Sequence, residues 1–265
     1  MPFNKKKPVT SPEDFDADAF SQAAIALHVS SSGEYAGQSP HAHRKGQLII
    51  SLRGAVSCEV QDALWLVPPG HAVWVPGETP HNCRVTQNAD TCFLFIEPGA
   101  AAMPEICCTL AITSLVRELV LYLAGQEHDY SPDSKTARLA AVLLEHIPDV
   151  PVEALHLPVS DHPKIRNMAE ALFNEPDDRR TLKQWAAHLV TSERSLARLI
   201  KEATGMSFGR WRQQLHLMIA LSHLAEGQSV QRVAGTLGYD SVSAFITMFR
   251  KALGKSPTQY FSSLN

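Results

Sequence analysis

Nowhere in the chain do about 18 apolar residues run together, so no segment is written to cross a bilayer as a helix. Charge is also sparse: charged residues make up 19% of the composition against 45% hydrophobic, a balance that excludes a disordered, self-solvating chain. Cysteine is scarcer still. The five cysteines fall in no paired spacing, with Cys107 and Cys108 adjacent, which argues against a disulfide framework and suits a reducing compartment; a cytoplasmic location is expected. The basic start MPFNKKKPVT has no apolar run behind it, so no secretory signal is expected. No phosphate-cradling glycine loop and no nucleophile paired with a base is evident.

What the chain does contain is unevenly distributed. Its 265 residues suffice for two domains, each with its own core. Residues 1–163 carry 10 Lys and Arg against 19 Asp and Glu, and residues 164–265 carry 14 against 8, so the carboxy-terminal part is the one placed to approach a polyanion. Residues 1–20 are polar and proline-interrupted and read as a flexible tail. From Ile25 to Glu97, the runs QLIISLR, VSCEV, ALWLV, AVWV and TCFLFIE, separated by glycine and proline turns, predict an antiparallel sandwich or barrel. Two helical patterns follow, one with Leu115, Leu119 and Tyr122 on a face, the other with Leu139, Val142, Leu143 and Ile147. Pro148, Pro151, Pro158 and Pro163 then forbid a continuous helix and mark a linker over 148–163, which closes a first domain of 21–147. From 164 to 265 the pattern is wholly helical, with start signals at Thr181 (a capping box with Gln184), Ser192, Ser207, Ser229, Ser241 and Ser256 followed by Pro257. The expected fold is α+β with two domains, an amino-terminal barrel carrying two helices and a carboxy-terminal all-α domain.

The helical part repeats itself. Ser192 aligns with Ser241, Leu196 with Phe245, Ile200 with Phe249, Gly205 with Gly254 and Ser207 with Ser256 at one constant offset, and Ala186 aligns with Ala234 after a one-residue difference in the turn. Short helix, tight turn, second helix and glycine stop make up a helix-turn-helix, whose second helix enters the major groove. Between the copies, SFGRWRQQLHLMIALSHLAEG predicts one helix of about 20 residues, roughly 30 Å long, close to the ~34 Å turn of B-DNA. In the first copy Leu196, Leu199, Ile200 and Ala203 take core spacing, leaving Arg194, Ser195, Arg198 and Lys201 as candidates for base or phosphate contact. In the second, Phe245 and Phe249 are expected in the core and Ser243, Thr247 and Arg250 outward. Trp185 and Trp211 are expected to pack rather than stack on bases. Solvated charge is the plainer account of any one of these basic residues; the repeat favours DNA for the face as a whole.

At these positions the sequence VAGTLGYDSVSAFITMFRKALGKSPTQYF resembles the signature of AraC/XylS-type transcription regulators, and the resemblance covers residues 164–265. Ala234, Leu237, Gly238, Tyr239, Ser241, Phe245, Phe249, Gly254, Pro257 and Tyr260 stand where that pattern expects them. Two positions depart from it: Thr247 occupies a place often basic, and His216 one where the linking helix commonly carries arginine. The resemblance implies double-stranded promoter DNA as partner, RNA polymerase if the protein activates, and a homodimer.

The stretch HAHRKGQL, with His41, His43 and Gln47, resembles the first motif of the cupin barrel, and GHAVWVPGETPH the second, supplying Gly70, Pro76 and His81. The resemblance implies that His41, His43, Gln47 and His81 converge inside a cupin-like barrel. Three imidazoles suit a divalent iron, nickel, zinc or manganese ion, although the usual fourth ligand is glutamate rather than Gln47, and Glu78 replaces a customary glycine. Sensor domains of this regulator family often keep the barrel without a metal centre, and the same polar groups suit a small-molecule effector, with Trp74 as a further lining residue.

The expectation is a one-component regulator whose barrel senses an effector and whose helices pair two copies through Leu115, Leu119, Leu139 and Leu143. Packing of those helices on their own barrel is the alternative. A metal-dependent cupin dioxygenase or isomerase and a direct metal sensor are the rival functions, and similarity to a subgroup that governs neighbouring transporters implies a transporter gene as target.

Overall fold

The chain is described by a computed structural model over residues 15–30, 39–60, 63–85, 89–153, 155–158, 160 and 162–262. Its amino-terminal half is built on strands β1 (Ala24–Ser30), β2 (Gly46–Arg53), β3 (Val56–Val60), β4 (Ala63–Val67), β5 (His71–Val75), β6 (His81–Val85), β7 (Asp90–Ile96), β8 (Cys108–Ala111), β9 (Val152–Glu153) and β10 (His156–Pro158). All pairings are antiparallel, in one sheet of order β1-β7-β2-β5-β8-β9 and a second of order β10-β4-β3-β6.

Strand period 2 sorts the side chains into two cores. Ile25, Leu27, Ile49, Val73, Phe93 and Phe95 of the larger sheet meet Val56, Cys58, Trp65, Val67 and Cys83 of the smaller one. Their neighbours in sequence, such as Leu48, Ile50, Ala72, Trp74 and Leu94, face the other way, against helices α1 (Ser114–Ala124) and α2 (Lys135–His146). The larger sheet is thus covered on both faces, which is why β2, β5 and β7 read as continuous apolar runs.

The helices press Val116, Val120 and Leu123, and Ala140, Leu143 and Leu144, onto the sheet. The expected pairing stripe is corrected accordingly. Leu143 is fully buried within its own domain and has no surface to offer a second copy. Leu115 is half exposed, Leu119 and Leu139 are part-buried, and Tyr122 and Val142 are the exposed apolar side chains beside them. An amphipathic pattern names an apolar stripe; which edge of a wide stripe turns inward is decided by the sheet beneath it.

The first fourteen residues of the expected tail lie outside the described residues. Residues 15–20 are held: Phe15 packs at 5.6 Å on Phe95, and the Asp18 carboxylate accepts from the backbone N–H groups of Arg44 at 2.6 Å and Lys45 at 3.1 Å. Described residues of the proline-marked segment 148–163 are also paired with strands. They contribute β9 as an edge strand of the larger sheet and β10 as an edge strand of the smaller.

That domain comprises α3 (Pro163–Asn174), α4 (Leu182–His188), α5 (Glu193–Thr204), α6 (Phe208–Ala225), α7 (Val230–Thr236), α8 (Val242–Leu253) and α9 (Pro257–Ser262). Each start has a local cause. The Thr181 and Gln184 side chains form a capping box, and the Ser192, Ser229 and Ser241 hydroxyls each accept from the N–H three residues on. Helices α5 and α8 stop at Gly205 (φ 70°) and Gly254 (φ 73°), left-handed positions that glycine adopts without steric cost. Leu196 and Ile200 of α5 and Phe245 and Phe249 of α8 are fully buried, with Trp185 and Trp211 in the same core. The repeat is therefore two α-turn-α units, α4–α5 and α7–α8, joined by the 18-residue α6, about 27 Å long.

The domains are packed together. Leu155 and Leu157 join the helical core, the Trp211 indole donates to the Pro158 carbonyl at 3.0 Å, and the Gln214 amide donates to the His156 carbonyl at 3.2 Å.

Candidate functional site

Two sets of residues carry chemistry. The first is the outward face of the α-turn-α units. On α5 the burial of Leu196 and Ile200 turns Arg194, Ser195, Arg198 and Lys201 to solvent at i, i+4 and i+7 spacing. Arg194 and Arg198 have no side-chain partner among the described residues, so both guanidinium groups are open for bidentate contact. The Ser195 hydroxyl lies 2.8 Å from that of Ser192, and the Lys201 ammonium donates to the Gly205 carbonyl at 2.7 Å, tying it to the carboxy-terminal end of its helix.

On α8, Ser243, Thr247 and Arg250 are exposed as expected. The Thr247 hydroxyl donates to the Ser243 carbonyl at 2.8 Å, which commits its proton to the helix and leaves its methyl group and oxygen lone pairs for other contacts. Two further exposed residues of this helix, Ala244 and Lys251, were not singled out from the sequence; the same periodicity that named Ser243 and Thr247 places them one step round the helix. His216 is buried and lies 3.4 Å from the Tyr239 hydroxyl. Burial, with Arg212 nearby, pushes it down to about 4, so it is a neutral packing group rather than a backbone contact.

The second set is the histidine cluster. His41 and His81 exchange backbone hydrogen bonds of 3.0 and 2.9 Å, a two-residue bridge that brings the first motif onto β6. The turn between β5 and β6 folds over it: the Glu78 N–H donates to the His43 carbonyl at 2.8 Å, and a Cβ on Gly77 would lie 2.1 Å from the Arg44 carbonyl oxygen. Glu78 has φ 61°, a left-handed conformation that accounts for a glycine being the customary residue there. Lys45 is fully buried and paired with Glu97, which also pairs with Arg44, and these contacts fix the loop from behind. Nothing in the sequence pattern pointed to that anchoring lysine.

Within the cluster every Nδ1 faces a backbone carbonyl: His41 to Ser39 at 3.0 Å, His43 to Lys45 at 2.5 Å and His81 to Thr79 at 2.8 Å. A carbonyl only accepts, so each Nδ1 carries a proton, and in the neutral ring the lone pair lies on Nε2. One ligand atom from each of the three rings lies within 4.8 Å of the others, and the Gln47 side chain lies 2.7 Å from His81 Nε2 and 3.2 Å from His43 Nε2. Burial, reinforced by His41 and His43, pushes His81 down to about 4 against the opposing effect of the Thr79 carbonyl, keeping it neutral near pH 7.

Two arrangements satisfy these atoms. The Gln47 amide nitrogen can donate to both Nε2 atoms, since the two ends of an amide are interchangeable in shape. Alternatively, three Nε2 lone pairs and the Gln47 oxygen form a neutral N3O donor set, with the Nδ1–H to carbonyl bonds that orient metal-binding histidines. The donor set fits a borderline divalent ion and lacks the carboxylate that would offset its charge.

Trp74 is corrected: it does not line this cluster. It stands one residue from Val75, the partner of Gln47, and so emerges on the opposite face of the sheet, where its indole donates to the Pro104 carbonyl at 2.8 Å. Its ring covers Gly46 so closely that a Cβ there would approach it to 2.0 Å.

Residues 185–263 match the model of a helix-turn-helix domain, and residues 28–114 match that of an AraC-like ligand-binding domain. The HTH-type transcriptional regulator NimR of Escherichia coli (strain K12) is 50% identical over 250 residues, 94% of this chain and 92% of that protein. The HTH-type transcriptional regulator RipA of Corynebacterium glutamicum is 30% identical over 138 residues, 52% of this chain and 38% of that protein. Among solved structures, ToxT from Vibrio cholerae O395 aligns over 92% of this chain and 98% of its own, with a TM-score of 0.40 and 10% identity.

Proposed function

The chain belongs to the AraC family of helix-turn-helix transcription regulators, and on that premise we propose that α5 and α8 read two successive major-groove faces of one operator while the histidine cluster senses a small molecule. Regulation of transcription, rather than catalysis, is what the family does. The observation that carries the DNA reading is the exposed basic face of α5, on which Arg194 and Arg198 have no side-chain partner among the described residues, opposite a buried Leu196 and Ile200, repeated in outline by Ser243, Thr247 and Arg250 on α8. Arg194 and Arg198 make base or phosphate contacts, and Lys201 acts from the helix end.

In this reading 21–147 is the sensing and pairing domain, 148–163 the connection and 164–265 the DNA-binding domain. His41, His43, Gln47 and His81 hold the effector, whose binding changes how the β domain and the helices pack. Two copies pair through the exposed edge of α1 and α2, with Leu115, Leu119 and Leu139 joined by Tyr122 and Val142, because one chain makes few base contacts and pairing multiplies specificity. The dimer works in the cytoplasm, on a promoter serving a neighbouring transporter gene, and an activating role brings RNA polymerase as a further partner.

A second reading is favoured by the Nδ1–H anchoring: the cluster holds a divalent metal, which when bound supplies a positive charge and an open coordination position for an anionic effector. The test is operator affinity of the full chain with and without chelator, alongside metal content of the wild type and His43→Ala. Stoichiometric metal lost in His43→Ala supports the metal reading. Metal-free protein with an unaltered effector response leaves the effector alone in the site, and a His43→Ala protein with full effector response rejects the cluster altogether.

A further inference from the structure

Two of the five thiols face each other. Cys58 of β3 and Cys83 of β6 stand directly opposite in the register of the smaller sheet, and their Sγ atoms lie 2.7 Å apart. Both are buried in the core between the sheets, 25 positions apart in sequence. Cys92 and Cys108 belong to the other core, beneath α1 and α2, and Cys107 only borders the core between the sheets. Cysteine packs as a small hydrophobe, which accounts for the burial of each thiol; it does not account for two of them meeting sulfur to sulfur across a strand pair.

The backbone already holds the separation that a bond between them needs. Residues opposite one another on antiparallel strands have Cα atoms about 4.5 or 5.5 Å apart, and disulfides span about 4.4–6.8 Å. Closure requires the two sulfurs to approach by about 0.7 Å. Burial pushes the Cys58 thiol up, and its hydrogen bond with Cys83 adds to that, so the pair rests as thiols. Access is through β6, the end strand of its sheet: past Cys83 its outer edge has no strand partner among the described residues, and one strand need open for the pair to be reached. The apolar surroundings admit a small uncharged oxidant and disfavour a charged one.

We propose that Cys58 and Cys83 form a reversible oxidation site, closed to a β3–β6 disulfide by a small uncharged peroxide and reopened by a low-molecular-weight thiol. One sulfur, losing its proton, attacks a peroxide oxygen; the O–O bond breaks, water leaves and a sulfenic acid remains. The second sulfur then attacks the first, the S–S bond forms as the S–O bond breaks, and the hydroxyl departs as a second water with the second thiol's proton. The dithiol loses two electrons and the peroxide gains them. In a reducing compartment such a bond is transient, which is the behaviour of a redox-responsive disulfide rather than a structural one. His81 and Cys83 share a face of β6, so the bond ties to β3 the strand that bears His81. The site stands whatever the histidine cluster binds.

The experiment exposes the reduced full chain, freed of reductant, to hydrogen peroxide under native conditions, denatures it in N-ethylmaleimide and maps the peptides by mass spectrometry without reduction. One cross-link within the chain is expected, between Cys58 and Cys83, with Cys92 and Cys108 carrying the label, and dithiothreitol before labelling should restore both thiols. In Cys83→Ala, Cys58 has no second sulfur to close on, and dimedone present at denaturation should trap about tenfold more sulfenic acid at Cys58 than in the wild type. The proposal is overturned if Cys58 and Cys83 both still take the label after an exposure that oxidises free glutathione completely, if the cross-link joins Cys107 to either of them or joins two chains, or if it forms only when urea precedes the peroxide. Should Cys83→Ala fail to fold, the wild-type map alone decides.

Discussion

In the first α-turn-α unit the turn into the second helix passes through Val190 at φ 51°, with the side chain almost wholly exposed; in the second unit the aligned position is Gly238 at φ 70°. Inside, the two units match: Leu196 and Ile200 sit where Phe245 and Phe249 sit, all fully buried. Outside they part. Helix α5 presents two arginines with no side-chain partner among the described residues, and α8 presents Ser243, Ala244, a Thr247 whose hydroxyl donates to its own helix, and a single arginine, Arg250. The packing face of a duplicated unit is held by volume and burial, and the outward face is where the copies take different roles. On the proposed reading, α5 carries most of the polar readout through Arg194 and Arg198, and the middle of α8 contributes shape and apolar contact, with Arg250 at its end.

The comparison is broken most severely from the inside. Phe245→Ala removes a fully buried ring and should cost about 3–5 kcal/mol, against about 2–5 kcal/mol for Leu196→Ala, both read by chemical denaturation of the full chain. A cost below about 1 kcal/mol in either would mean that its unit is not an integral part of the domain. Acid should separate the units next. His216 supports Tyr239 of the second unit and is held at about 4, below its ordinary 6.5, so the unfolded chain takes up its proton first. The contribution of His216 is fully present well above pH 6.5 and falls by about 3 kcal/mol as the pH drops from 6.5 to 4, while His81, held equally low in the other domain, adds a loss of its own over the same window. His216→Phe should flatten that slope, and amide exchange should reveal α7–α8 opening before α4–α5.

On DNA the difference should appear as affinity. Arg198→Ala is expected to lose about 1–3 kcal/mol of specific binding, roughly 5- to 150-fold, whereas Thr247→Val should stay within about twofold. Equal losses from both would erase the distinction between the helices. The smallest effect lies in the turn: Val190→Asn places a residue tolerant of left-handed φ at a strained β-branched position and should gain about 1 kcal/mol in thermal unfolding, with operator affinity unchanged.

Much of this was legible in the sequence wherever the cause is local. Serine and threonine caps, glycine stops and the constant offset between copies depend on neighbours a few residues away, and the exposed arginines of α5 follow from them. The His-x-His motif and His81 announced a cluster that the backbone bridge between His41 and His81 assembles. Features set by distant packing were not legible. Trp74 and Gln47 lie on opposite faces because of the register between β2 and β5, and Leu143 rather than Val142 is covered because the sheet meets α2 on that side. Nor did a proline-rich segment betray that it would add β9 and β10 to two sheets, or a lysine that it would be buried against Glu97.

The most direct measurement is selection of bound duplexes from a random DNA pool by the full-length protein and, in parallel, by Arg198→Ala. Two readers on a helix about 27 Å long predict an enriched site with two unlike motifs one helical turn apart, of which Arg198→Ala loses one and keeps the other. A single motif, two motifs weakened alike, or sequence-blind binding that vanishes with salt would contradict the division of labour between α5 and α8.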